Sequence, residues 1–141
     1  MDPNNPVVQL CAAGIAAEGE DRKEEALALF ERAWQTSSDD YEACIAAHYI
    51  ARHQDTAEAE LEWNEEALRC AESVTDERVR GFYPSLYLNF AHSLEKVGRK
   101  TEAREYYERA AAGLEQLPDG PYARLVRMGV TAGRARVVEA S

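Results

Sequence analysis

The three histidines and three cysteines of this 141-residue sequence are its side chains best suited to chemistry near neutral pH. Cys44 and His48 stand four apart, so on a helix they share one face, and a thiolate beside a neutral imidazole is a competent pair of zinc ligands. Cys11, Cys44 and Cys70, however, form no CxxC motif and leave an odd count. Carboxylates are plentiful, but runs such as "EEALALFERA" and "AEAELEWNEEA" have the spacing of solvated helix faces. There is no GxSxG, no phosphate-cradling glycine loop, no HExxH and no EF-hand loop. One stretch from Asp76 to Phe90, "DERVRGFYPSLYLNF", gathers Arg78, Arg80, Phe82, Tyr83, Tyr87 and Phe90, the composition of an interface hot spot. Phe82 and Phe90 equally suit a core, with Tyr83 at a rim. Gly81 and Pro84 would weaken or kink a continuous helix there.

The elements that position these residues read as helices. No stretch alternates apolar and polar residues as a half-buried strand would; apolar residues recur at three- and four-residue spacings. Leu10, Ala13, Gly14 and Ala17 form one stripe, and Ala26, Leu29, Phe30 and Ala33 a second. Ala43, Ala46, Ala47 and Ile50 repeat the first kind; Ala59, Trp63, Ala67 and Cys70 resemble the second. Tyr87, Phe90, Ala91 and Leu94 are followed by Ala103, Tyr106, Tyr107 and Ala110. Asn5 before Pro6 is a helix start. Asp21 with Glu24 and Asp55 with Glu58 have capping-box spacing, and Ser38 or Asp39 can cap the third helix. A seventh helix opens at Asp119-Gly120-Pro121, with Tyr122, Leu125, Val126 and Val130 expected to face inward.

Ala26, Ala59 and Ala103 align the segments "EEALALF", "EAELEW" and "EAREYY" at intervals of 33 and 44 residues. On these residues the chain resembles tetratricopeptide repeats, whose pattern is W-x-x-L-G-x-x-Y and then A-x-x-x-F-x-x-A. Leu10, Ala13, Gly14 and Ala17 with Ala26, Phe30 and Ala33 match it in the first unit. Tyr87, Phe90, Ala91 and Leu94 with Ala103, Tyr107 and Ala110 match it in the third. The middle unit has Glu66 where an alanine would sit, and its extra length is similar to the extended repeats of kinesin light chains and bacterial peptide-sensing regulators. The resemblance implies an all-α, right-handed superhelix in one domain over residues 1–141. Its parts are repeats at about 7–40, 41–75 and 76–117 and a capping helix at about 121–138. Small residues sit where paired helices touch, and the aromatic four residues on fills the space to the next pair.

In that fold the first helix of each pair lines a concave groove that binds extended peptides or partner helices. By register the groove would carry Val8, Cys11 and Ile15, then Tyr41, Cys44, His48 and Arg52, then Ser85, Leu88, Asn89, His92 and Lys96. Two imidazoles and two basic groups in an acidic body could attract an acidic peptide or a carboxylate. Alternatively, Arg52 and Lys96 pair with neighbouring glutamates. The Lys and Asn, then Lys and Arg, that clamp chaperone tails in this family are absent: Cys11 and Ile15 stand on the first groove helix, Ser85 and Asn89 on the third. Cys11 and His92 would lie in the groove near Cys44 and His48. Adjacent repeats about 10 Å apart are nonetheless too distant for ~2 Å metal bonds, so no metal or cofactor is expected.

The formal charge of −10 argues against nucleic acid and anionic membrane surfaces as partners. It is unevenly spread: residues 1–120 carry 25 acids against 12 bases, whereas the final helix carries Arg124, Arg127, Arg134 and Arg136 against Glu139. Those arginines either attract a second copy or an acidic partner, with Arg124 and Arg127 as candidate contacts, or simply sit near the negative end of a solvated helix. The unpaired cysteines, and the lack of a signal peptide or of a run of about 20 apolar residues, point to a cytoplasmic protein. The expected function is a non-catalytic adapter binding a peptide or helix of another protein. The alternatives are a self-associating homodimeric module and a small peptide or ligand sensor.

Overall fold

The computed structural model describes residues 3–74, 77–115 and 117–139, without the side chains of residues 78, 79 and 139. The fold is all-α, with seven α-helices and one short 3-10 helix among the described residues. Contacts divide the chain into two compact units, Met1–Val74 and Thr75–Ser141. Among the described residues, no helix is long and apolar enough to cross a membrane.

The first unit holds α1 (Pro6–Gly19), α2 (Lys23–Thr36), α3 (Asp40–Ala51) and α4 (Ala57–Glu72). α1 pairs with α2 and α3 with α4, and α2 packs on α3. Asn5 caps α1 by accepting from the Val7 and Val8 amides, with Pro6 in the first turn. Its amide nitrogen donates to Glu42 at 2.7 Å, and Glu42 also accepts from the Ser38 amide at 2.9 Å. Asp39, rather than Ser38, caps α3 through the Glu42 amide. Thr56, not Asp55, caps α4 through the Ala59 amide. Asp21 does not cap α2 either: it adopts φ 61°, leaving Arg22 at the N-cap without a side-chain bond.

The second unit holds the 3-10 helix Glu77–Phe82, α5 (Tyr83–Lys96), α6 (Lys100–Leu114) and α7 (Pro121–Glu139). Pro84 falls in the first turn of α5, where its missing N–H costs nothing, and this is how the segment absorbs Gly81 and Pro84. α7 packs on both α5 and α6: Val126 and Val130 cluster with Ala110 and Leu114 of α6, and Tyr87 and Leu88 of α5 pack against that cluster.

Both hairpins α1–α2 and α5–α6 close with the same turn. The Arg22 and Arg99 amides reach back to the Ala17 and Leu94 carbonyls at 2.9 Å, as in a Schellman closure. The residue before each arginine is left-handed, Asp21 at φ 61° and Gly98 at φ 87°; glycine meets that demand without strain. Each arginine then pairs with the glutamate three residues on, Arg22 with Glu25 and Arg99 with Glu102.

Four expected faces are rotated: in α4 Leu61, Asn64, Leu68 and Ala71 are buried with Ala67 and Cys70, while Ala59 and Trp63 are only half-buried. In α1 the buried stripe is Val7, Cys11, Gly14 and Ala17, while Ala13 is exposed. In α3, burial extends from Cys44 through His48 and takes in Ile50 and Ala51. In α7 the inward face is Ala123, Val126, Val130, Gly133 and Val137, and Tyr122 and Leu125 turn outward. In α1 and α7 a small-residue stripe packs because an aromatic ring comes to rest on a glycine. A Cβ at Gly14 would stand 2.4 Å from Phe30, and one at Gly133 2.2 Å from Tyr107.

Candidate functional site

α5 and α7 of the second unit face each other across a cavity of about 260 Å³. α5 contributes Leu88, Asn89 and His92, one helical turn of side chains. α7 contributes Gly129, Ala132 and Arg136, and Tyr107 from α6 completes the lining. The gap depends on small residues in α7, since a Cβ at Gly129 would stand 2.8 Å from the Leu88 side chain.

One wall is a closed polar network. The Tyr107 hydroxyl donates to Glu95 at 2.7 Å, and the Arg136 guanidinium donates to both Glu95 oxygens at 2.7 and 3.2 Å and to Tyr107 at 3.3 Å. Burial pulls the Glu95 carboxyl up, but the bonds from Arg136 and Tyr107 and the charges of Arg136 and His92 outweigh it, so its pKa lies below the ordinary 4.5. Tyr107, fully buried, is pushed up to about 12 by burial and then by its bond to Glu95. Its hydroxyl is therefore a fixed donor across the physiological range. Glu95 pairs with Arg136, and His92 and the neighbouring Lys96 are both exposed.

The first unit carries a related cluster. The His53 ring nitrogen Nε2 donates to the Glu18 carboxylate at 2.5 Å, which Arg52 also approaches at 3.3 Å. Phe30 stacks on Tyr49 and His53 at centroid distances of 5.0 and 5.7 Å. Glu18, Ala26 and Phe30 correspond to Glu95, Ala103 and Tyr107, each 77 positions on.

The anticipated groove residues divide accordingly. Leu88, Asn89 and His92 meet at the cavity. Cys44 has no exposed surface and His48 only 8%, so neither offers a contact to a partner. Burial, reinforced by the Arg52 charge, lowers the His48 pKa to about 4, so its imidazole is neutral near pH 7. The reason is that α3 is apolar nearly all round and its Cys44–His48 side turns into the core. Cys11 is buried too, and burial raises the Cys11 and Cys44 thiols to about 11 and about 12, far from nucleophilic. Among the described residues, no group of three or more His, Cys, Asp or Glu is placed to hold a metal ion.

Tyr41 is half-buried in the first turn of α3, and Arg52 is exposed, resting over the Tyr49 ring while it meets Glu18. Ser85 donates to Tyr122 at 2.5 Å, and the Tyr122 hydroxyl donates to the Gly81 carbonyl at 3.1 Å, which ties α7 to the start of α5. Tyr83 stacks on Tyr87, and Phe82 is half-buried. Arg80 is exposed near Glu77, and the Arg78 side chain lies outside the described residues. Arg124 and Arg127 are exposed.

Glu95, Tyr107 and Arg136 were not anticipated as site residues. A signal for Glu95 exists in the sequence: Glu18 and Glu95 each stand eight positions before the aligned alanine of the following helix. The chain matches no protein-family model, and no curated protein or solved structure shows significant similarity to it.

Proposed function

We propose that this protein is a non-catalytic interaction adapter built from tetratricopeptide-like helical hairpins. The α5–α7 cavity would receive an acidic side chain or terminal carboxylate of a partner peptide. The carrying observation is the convergence of Leu88, Asn89 and His92 with Arg136 on one cavity. Leu88 offers apolar contact, Asn89 an amide, and His92 a ring that can donate to a carboxylate. Arg136 is pre-positioned by Glu95, so a ligand meets an ordered guanidinium edge at small entropic cost. Glu95 is held low and Tyr107 high, both away from proton transfer near neutral pH, which favours binding over catalysis. Three cysteines without a disulfide, all buried, accord with a reducing cytoplasmic setting.

The test is an arrayed peptide library, with acidic and neutral side chains and with free or amidated C-termini, probed with the native protein and with His92→Glu. Acidic peptides should bind the native chain and lose about tenfold or more in affinity to the variant, with unchanged circular dichroism and melting. Equal binding by both proteins, or no preference for acidic peptides, would remove the cavity from the account.

A further inference from the structure

The exposed large apolar side chains among the described residues lie only on the first and last helices: Ile15 on α1, and Tyr122, Leu125, Met128 and Val138 on α7. Leu125 and Met128 are each 68% exposed, and as neighbours on one helix face they form a patch rather than a single scattered residue. They lie on one stripe of α7 with Ala132 and Ala135, also exposed. Beside them stand Arg124 and Arg127. Arg134 and Arg136 are paired with Glu108 and Glu95, but among the described residues Arg124 and Arg127 have no ion-pair partner. They occupy the first two turns of α7, where the helix dipole already places positive charge. The expectation that the α7 arginines sit near the negative end of the helix therefore holds only for Arg136, the one basic residue of the last turn. Two uncompensated charges flanking two uncovered apolar side chains are what a docking surface for an acid-flanked apolar helix requires.

This chain contains such a helix. α1 carries no charged residue from Pro6 to Ala17, and its solvent stripe of Ala12, Ile15 and Ala16 is apolar. Its C-terminal end has no basic residue in the last turn and runs into Glu20, Asp21, Glu24 and Glu25 against Arg22 and Lys23. We propose that the solvent face of α7 in one molecule docks antiparallel on the solvent face of α1 in a second copy, joining molecules head to tail. Leu125 and Met128 then fill the shallow relief around Ala12 and Ala16, and Arg124 and Arg127 come beside the acidic end of α1. The positive end of one helix dipole also meets the negative end of the other. A two-fold α7–α7 contact is disfavoured, because α7 has no acid between Pro121 and Val138 and would set arginine against arginine. The contact is heterologous, so it can extend beyond a dimer unless it closes into a ring. It does not depend on the peptide-binding reading of the cavity.

The experiment is sedimentation velocity with native mass spectrometry, using the full chain at rising concentration and two surface variants. Leu125→Glu/Met128→Glu disables the α7 face, and Ala12→Glu/Ala16→Glu disables the α1 face; all four positions are exposed, and circular dichroism checks the folds. The native chain should assemble at low salt and weaken at high salt, and each variant alone should stay at the 15.8 kDa monomer mass. Mixed in equal amounts, the variants retain one good face each and should form a one-to-one dimer and nothing larger. A native chain that stays monomeric throughout overturns the proposal. So does assembly that survives the α1 substitutions, which would indicate a two-fold contact, or a mixture of variants that stays monomeric.

Discussion

The two units solve one packing problem with different chemistry. In each, a glutamate near the end of the first helix meets a cation that follows or ends a later helix, beside an aromatic ring from the second. In the first unit His53 and Arg52 meet Glu18, and Phe30 fills the space by stacking on Tyr49 and His53. In the second unit the ring is Tyr107, whose hydroxyl bonds the same glutamate, Glu95, that Arg136 grips with two nitrogens. A single added oxygen brings the second ring into the ion pair that the first ring only packs beside. Equivalent register fixes where a side chain goes, while the side chain's chemistry decides whether it joins the polar network or only packs.

The strongest way to break this comparison is to delete the two rings. Phe30→Ala and Tyr107→Ala each empty a fully buried position and should cost about 3–5 kcal/mol, read by urea unfolding. A cost near that of a surface substitution for either one would end the equivalence.

Acid should separate the units. The folded pKa of His48 lies below its unfolded value of 6.5, at about 4. The unfolded chain then binds the proton more readily, and the stability His48 contributes is full above pH 6.5 and lost as pH falls through 4. The loss amounts to on the order of 3 kcal/mol when complete. Glu95 in the second unit is also depressed, from 4.5, so its contribution is present above that value and lost only in stronger acid. Amide hydrogen exchange from pH 7 to 4 should therefore show protection falling first in residues 1–74. His48→Asn should flatten that difference; if it persists, His48 is not its source.

The smallest effect sharpens the role of the glycines. Gly133→Ala forces a Cβ against the Tyr107 ring, which Glu95 and Arg136 hold in place, and should cost about 1–3 kcal/mol. Replacing Tyr107 with Leu in that background should recover part of the loss. A neutral Gly133→Ala would mean that the ring can slide and that α7 is not seated by this contact.

Much of the fold was legible because several helices have one clear apolar face. Ala26, Phe30 and Ala33, and likewise Ala103, Tyr107 and Ala110, are buried as their spacing requires. Asn5-Pro6 starts α1 as read. The site was less legible. α3 is apolar nearly all round, so periodicity cannot choose its face, and Cys44 and His48 lie in the core rather than along an open groove. α7 offers two apolar stripes, and size favoured Leu125 over Gly129 and Gly133.

The sequence by itself determined the seven helices, their pairing into hairpins and the repetition of register between the first and third pairs, because these follow from local spacing, turn residues and small-residue positions. Only the tertiary structure decided which stripe of α1 and α7 is inside, because their glycines accept rings supplied by other helices, and which side of α3, apolar nearly all round, turns into the core. It likewise decided that Glu95, Tyr107 and Arg136 meet. Arg136 lies 41 positions from Glu95, and no local pattern carries a contact that exists only once α7 has packed on α5 and α6.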